Sequence, residues 1–174
     1  DADGLRRVFA TSLLIHLILA AIVLVATEMI GLWLLAGRLN IPPGHPGAAL
    51  WVFQCATASF IIGTISSPFN AAIVANERMT AFAYTGLLDA GLKLLAAILL
   101  QITEADRLKT YATWTLAASA LLALVYVLYA RRSFPECRVR PGRDPAIFRQ
   151  MLSFATWGVA SNLSVLLRIQ GINI

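Results

Sequence analysis

The sequence has little charge: Asp, Glu, Lys and Arg make up only 13% of its 174 residues, against 59% hydrophobic residues. Soluble domains average about 25% charged and 45–50% apolar residues. A soluble fold of this size could not hide so much apolar surface, so lipid is the expected solvent. A secretory signal peptide is excluded as well, because the first apolar run is too long and further runs follow it.

Motifs that carry chemistry are also missing. The sequence has no P-loop, no GxSxG, no HExxH, no glycine-rich dinucleotide turn and no paired catalytic carboxylates, so we expect no enzymatic activity. It has two cysteines, Cys55 in an apolar run and Cys137 in an Arg-rich loop, so neither a disulfide nor a metal site is expected. The formal net charge is +5, but the basic residues cluster between apolar runs, which indicates loops facing anionic lipid rather than nucleic acid.

Long apolar runs dominate what remains. A hydrocarbon core of about 30 Å needs about 20 helical residues, and four runs are long enough, while a fifth begins near Phe148. The sequence therefore predicts an all-α, polytopic transmembrane helix bundle with four full spans and the start of a fifth. The chain begins at Asp1 without Met and stops at Ile174 within an apolar stretch, so we expect a piece of a longer protein. The four complete runs cover residues 8–37, 48–76, 80–102 and 110–130.

The connecting segments give an orientation. A Pro/Gly-rich loop (40–47), a tight polar corner (76–79), a short charged loop (104–109) and a long Arg-rich loop (131–145) separate the runs. Strict alternation places nine basic residues on one side and three on the other, so the richer side is expected in the cytoplasm. The poorer side carries Arg38, Arg107 and Lys109; the richer side carries Arg6, Arg7, Arg78, Arg131, Arg132, Arg138, Arg140, Arg143 and Arg149.

Two features of the second span suggest helix packing or motion. Pro68 should kink the helix near residues 64–67, whose hydroxyl groups can satisfy the freed carbonyls; the kink is either a hinge or static. Small residues at every fourth position predict either a close helix pair or ordinary packing without a transport role. These small residues are Ser59, Gly63, Ser67, Ala71 and Ala75.

Ionisable residues within the spans are few, and each is a candidate. Asp89 and Lys93 lie four residues apart in the favourable order, either as a self-neutralised structural pair or facing a polar cavity. Glu28 lies near the outer interface, with capping or water contact weighed against a cavity role. His16 is expected to hydrogen-bond a neighbouring helix, with a proton relay as the alternative. Arg168 lies deep in the fifth run and must pair, snorkel or line water.

The start of the fifth run has a local signature of its own. Asp144 followed by Pro145 predicts a helix N-terminus, with Asp144 as N-cap and Pro145 in the first helical position. The segment 144–152 is therefore expected to form a short interfacial helix.

Several stretches resemble the polysaccharide and O-antigen flippases of the multidrug/oligosaccharidyl-lipid/polysaccharide exporter superfamily. They are 67–79 (SPFNAAIVANERM), 82–84, 92–94, 28–33 and 168–174. Asn76 stands where His is common in that family. The resemblance implies a MATE-like fold of two six-helix lobes. Residues 1–130 would hold helices three to six of the first lobe, 131–145 the cytoplasmic loop between lobes, and 146–174 the start of helix seven.

The resemblance also implies a function. Such proteins flip an undecaprenyl-pyrophosphate-linked glycan across the bacterial inner membrane for polysaccharide and lipopolysaccharide biosynthesis, by alternating access between two lobes. It implies no cofactor, energy from coupling to H+ or Na+ or from lipid turnover, and glycosyltransferase or polymerase machinery as partners. The candidate substrate residues are Arg168, Lys93, Asp89, Glu28 and Asn70, and Pro68 and Gly63 are the hinge and packing candidates.

Two other functions remain open at the level of sequence. A cation-coupled multidrug antiporter of the same fold would need acidic and aromatic residues in its cavity. Lys93 and Arg168 favour the flippase, whereas Asp89 and Glu28 keep the antiporter open. A membrane scaffold without transport activity would need no charges within its spans, so their presence argues against it.

Overall fold

A computed structural model describes residues 2–37, 46–102, 106–138, 142 and 144–157, and all regular structure in these ranges is helical. This confirms the predicted all-α bundle, and four of the helices are long and apolar enough to cross a membrane. The helices are α1 (Ala2–Gly37), α2 (Pro46–Ala75), α3 (Met79–Ile102) and α4 (Arg107–Ser133), followed by a 3-10 turn (Pro135–Arg138) and a helix over residues 145–157.

The surface of the bundle is apolar. Leu87 and Leu94 on α3 are 70% and 63% exposed, and Met29 on α1 is 71% exposed. Contiguous exposed side chains of this kind are unfavourable in water, whereas helices that satisfy their own backbone hydrogen bonds are stable in lipid. The chain is therefore an α-helical membrane protein.

Consecutive helices run antiparallel, as the alternating loops predict. The start of α1 meets the end of α2, where the rings of Phe9 and Phe69 pack edge to face with centroids 5.2 Å apart. The late part of α1 meets the early part of α2, where Gly31 lies against Phe53. The inner pair is α2 and α4, which make the most extensive contact; α1 packs mainly on α2, and α3 mainly on α4.

One end of the bundle holds the main hydrophobic cluster. It joins the start of α1, the end of α2, the end of α4 and the 3-10 turn, and its buried members are Phe9, Leu13, Phe69, Ile73, Ala130, Phe134 and Cys137. The same ends carry most of the arginines. We call this region the arginine end and define it by Arg6, Arg7, Arg78, Arg131, Arg132, Arg138 and Arg149.

The predicted tight corner between α2 and α3 is confirmed. Glu77 adopts φ 54°, the left-handed region that usually favours glycine. Its N–H donates to the Val74 carbonyl at 3.0 Å, and the Arg78 N–H donates to the Ile73 carbonyl at 3.2 Å. These two bonds form a Schellman motif, which ends α2 and turns the chain directly into α3.

Side chains cap three other helix ends: the start of the helix over residues 145–157, the end of α4 and the start of α4. Asp144 Oδ1 accepts from the N–H groups of Ala146 at 3.1 Å and Ile147 at 3.4 Å, which confirms the predicted N-cap. The helix that follows continues through residue 157, past the predicted end at 152. Arg138 folds back on α4 and donates to the Arg131 and Arg132 carbonyls, with Nε 2.7 Å from the first.

Asp106 caps the start of α4, where its Oδ1 accepts from the Leu108 N–H at 3.2 Å. Partial desolvation acts to raise the pKa of Asp106, but hydrogen bonds and the charge of Lys109 outweigh it. The pKa of this carboxyl therefore lies below its ordinary value.

Candidate functional site

A polar crevice lies between α2 and α4, the two inner helices. Its volume is about 260 Å³, and Gly63, Leu122 and Ala123 supply its apolar wall. No acidic or basic side chain lines it among the described residues. Its polar lining, by which we define it, is Ser59, Ser66, Ser67, Asn70, Ser119 and Tyr126.

Helical periodicity explains why these residues meet. On α2, residues 59, 63, 66, 67 and 70 recur at intervals of three and four, so they share one helix face. Residues 119, 122, 123 and 126 do the same on α4. The small side chains of the α2 face leave the space that the crevice occupies.

The crevice offers hydrogen-bond acceptors. The hydroxyls of Ser59, Ser66 and Ser119 donate to the carbonyls of Cys55, Gly63 and Thr115 at 2.8, 3.0 and 2.9 Å. Their donors are thus used within the helices, while their oxygen lone pairs remain able to accept.

Among the described residues, Asn70 places an unsatisfied hydrogen-bond acceptor in the crevice. Its Oδ1 is buried and accepts no hydrogen bond from any described residue. Buried polar atoms nearly always have a partner, and leaving one unpaired costs about 1–3 kcal/mol. A ligand carrying hydroxyl donors, or water, would satisfy this oxygen.

Asp89 and Lys93 form the predicted pair, with Lys93 Nζ 2.7 Å from Asp89 Oδ2. The Lys93 side chain is 72% exposed and that of Asp89 36% exposed. Neither residue lines the polar crevice. The pair therefore lies on the outer surface of the four-helix bundle, where each charge neutralises the other.

Glu28 and His16 differ from each other in their contacts. Glu28 Oε2 accepts from Gln54 Nε2 at 3.1 Å, so it links α1 to α2 outside the crevice. His16 Nδ1 bonds the Ser12 carbonyl at 2.8 Å. That carbonyl belongs to His16's own helix, so the expected hydrogen bond to a neighbouring helix is not made by the described residues.

The small-residue stripe of α2 lines open space instead of a close helix contact. A side chain added at Gly63 would meet no atom within 4 Å, and Ser67, Ala71 and Ala75 are exposed. Of the two interpretations of the stripe, the close helix pair is therefore not formed at Gly63 by any described helix. A close approach that the sequence did not indicate is found between Gly31 of α1 and Phe53 of α2.

Pro68 lies within α2, which is continuous from Pro46 to Ala75. The nearby hydroxyls of Thr64 and Ser66 donate to the carbonyls of Phe60 at 2.9 Å and Gly63 at 3.0 Å. They therefore do not donate to the Thr64 carbonyl, which is the one that lacks a donor because Pro68 has no N–H. The hinge role of Pro68 stays a prediction.

Cys137 and Asn76 acquire roles that the sequence did not suggest. Cys137 is buried in the cluster of the arginine end, where desolvation, together with the negative charge of Glu136, raises its pKa to about 11. Asn76 Nδ2 donates to the Ala72 carbonyl at 2.9 Å and to Glu136 Oε1 at 3.3 Å, which joins the α2–α3 corner to the 3-10 turn. Both cysteines are free thiols, as expected.

Arg168 lies outside the described residues.

Comparison of the chain with protein-family models, with curated proteins and with solved structures found no match. The class that the fold defines is a polytopic α-helical membrane protein.

Proposed function

We propose that the chain is part of a transporter that flips a lipid-linked oligosaccharide, carried on undecaprenyl pyrophosphate, across the bacterial inner membrane. The observation that carries this proposal is the polar crevice between two apolar helices. Polar groups within a membrane span are costly and commonly mark a route for a polar substrate. The sequence resemblance to polysaccharide flippases supports the same function.

The chemistry of the crevice suits a glycan. Sugar hydroxyls are donors, and the crevice presents acceptors at Asn70 Oδ1 and at the oxygens of Ser59, Ser66 and Ser119. The absence of acidic and basic groups among its described lining residues suits an uncharged sugar better than an ion. In this proposal the glycan binds along the face shared by α2 and α4.

The pyrophosphate needs cations, and Lys93 and Arg168 are the candidates. Arginine matches phosphate oxygens bidentately. Asp89, 2.7 Å away, neutralises Lys93, so Lys93 would offer a phosphate an uncompensated positive charge only after leaving that carboxylate. Alternating access provides two states in which such an exchange of partner can occur.

The second candidate is a cation-coupled multidrug antiporter. It needs carboxylates that face a cationic drug, and Glu28 is half-buried and hydrogen-bonded to Gln54. The described part of the crevice contains no carboxylate, which favours the flippase.

Asn70→Leu in the full-length protein tests the proposal. Leucine removes the unpaired buried oxygen, so the protein should be as stable as the wild type or more so, while flipping of a fluorescent undecaprenyl-pyrophosphate glycan in proteoliposomes falls about tenfold. Gln101→Leu is the matched control, since Gln101 is an exposed amide on α3 outside the crevice. Wild-type flipping by Asn70→Leu would contradict the proposal, and proton-driven efflux of cationic dyes by the wild type would favour the antiporter.

A further inference from the structure

Arginines at the arginine end fall into two groups by their contacts. Arg6 pairs with Asp3 at 3.7 Å and Arg7 with Asp144 at 4.0 Å, while Arg138 donates to the backbone at the end of α4. The side chains of Arg78, Arg131, Arg132 and Arg149 are exposed and make no ion pair or hydrogen bond with a described residue. We call these four the free arginines.

The charge of this end is not balanced locally. Its described residues include seven arginines, against the four carboxylates of Asp3, Glu77, Glu136 and Asp144. Two of those carboxylates are engaged by Arg6 and Arg7, and Glu136 accepts from Asn76. The positive charge of the free arginines is therefore available to a partner outside the described chain.

Helix length sets the depth of two free arginines. α4 has 27 residues, which span about 40 Å, against a hydrocarbon core of about 30 Å. Arg131 and Arg132 lie in its last turn, so they project beyond the core to the depth of lipid headgroups. Arg78 lies in the corner that Asn76 joins to Glu136, which is four residues after Arg132, so it lies at the same end of the bundle as Arg131 and Arg132.

We propose that Arg131, Arg132 and Arg78 form a binding site for the phosphate of anionic phospholipid headgroups. A guanidinium donates two parallel hydrogen bonds to phosphate oxygens, and the described residues occupy none of the side-chain donors of these three arginines. Arginines near an anionic lipid surface each add appreciably to binding. The site does not depend on the proposed transport function, because it requires only that the bundle lies in a bilayer.

Native mass spectrometry of the detergent-solubilised full-length protein, titrated with phosphatidylglycerol or phosphatidylcholine, tests the site. The double variant Arg131→Gln/Arg132→Gln should lower the affinity for phosphatidylglycerol about tenfold and leave phosphatidylcholine binding unchanged. Arg6→Gln/Arg7→Gln is the matched control, since it removes the same charge from the same end but from arginines already paired. The control should lower phosphatidylglycerol affinity by a smaller factor than Arg131→Gln/Arg132→Gln does, because a carboxylate lies within 4.0 Å of each of its two arginines.

Other outcomes would overturn the proposal. Equal losses in the two double variants would show that the net charge of this end attracts lipid without a defined site. Unchanged affinity in Arg131→Gln/Arg132→Gln, or displacement of phosphatidylglycerol by inorganic phosphate, would also refute a lipid headgroup site. If the double variant melts at a lower temperature than the wild type, Arg78→Gln is tested instead. This single variant should lower the affinity for phosphatidylglycerol about threefold.

Discussion

Lys93 Nζ lies 2.7 Å from Asp89 Oδ2, one turn apart on α3 and on the outer surface of the bundle. A lone charge within a span costs about 2.5–3.5 kcal/mol on insertion scales. Lys93→Met leaves the carboxylate unpaired and should therefore lower the amount of protein in the membrane. Asp89→Leu/Lys93→Met should restore it, as measured by immunoblot of membrane fractions. Equal levels in the single and double variants would mean that the pair does not stabilise the span.

Exchange of the same two charges separates structure from transport. Asp89→Lys/Lys93→Asp keeps a neutral pair, so the protein should accumulate as the wild type does. Flipping in proteoliposomes should fall, because the proposed function needs the cation at residue 93. Retained flipping would make the pair purely structural and remove both residues from the candidate substrate residues.

Gly31 and Phe53 form the close contact between α1 and α2. A Cβ at Gly31 would overlap the Phe53 ring, so Gly31→Ala forces the ring to move and should destabilise the protein by about 1–3 kcal/mol. Thermal melting in detergent measures the loss, and Gly31→Ala/Phe53→Leu should recover part of it. Gly63→Ala is the control, because nothing lies within 4 Å of its added methyl group. A melting temperature for Gly31→Ala equal to that of Gly63→Ala would mean that the two helices are not in contact there, because both variants gain the same helix propensity.

Glu77 ends α2 in a left-handed conformation that costs a non-glycine residue about 1 kcal/mol. Glu77→Gly should therefore raise the melting temperature, and Glu77→Val should lower it, because a β-branched residue tolerates this region poorly. A lower melting temperature for Glu77→Gly than for Glu77→Val would be incompatible with the Schellman motif at this corner.

Cys137 should react slowly with maleimide while the protein is folded. Its pKa of about 11 lies above the ordinary 9.0, so the buried thiol remains protonated at pH 8, and the thiolate is the reactive form. The unfolded chain loses this proton first, so the free energy of unfolding should fall as the pH rises from about 9 to about 11; below about 9 the contribution is fully present. Gel-shift labelling of Cys55→Ala at pH 8 measures how fast maleimide reacts with Cys137. An exposed reference is Ser133→Cys with Cys55 and Cys137 replaced by Ala, and equal labelling rates would contradict the burial.

Features set by short stretches of sequence could be predicted. Hydropathy and length gave the spans, the spacing of Asp89 and Lys93 gave their pair, and Asp144 followed by Pro145 gave a helix start. Each depends on residues within a few turns of one another, so no knowledge of neighbouring helices was needed.

Features that depend on how helices face each other could not be predicted. The Gly31–Phe53 contact, the burial of Cys137 and the bond from Asn76 to Glu136 join distant parts of the chain. The α2 stripe suggested either a close helix contact or ordinary packing, yet Ser59, Gly63 and Ser67 of the stripe line the polar crevice, because α4 meets α2 without filling that part of its face. Small residues permit close packing but do not require it.

Site-directed labelling of the full-length protein in intact cells tests most directly that four helices cross the bilayer with the arginine end in the cytoplasm. Arg78→Cys, Arg132→Cys and Arg107→Cys are each made with Cys55 and Cys137 replaced by Ala. A membrane-impermeant maleimide should label Arg107→Cys from outside, and the other two only after the membrane is permeabilised. Labelling of Arg78→Cys and Arg107→Cys from the same side would contradict the account, because α3 could not then cross the membrane.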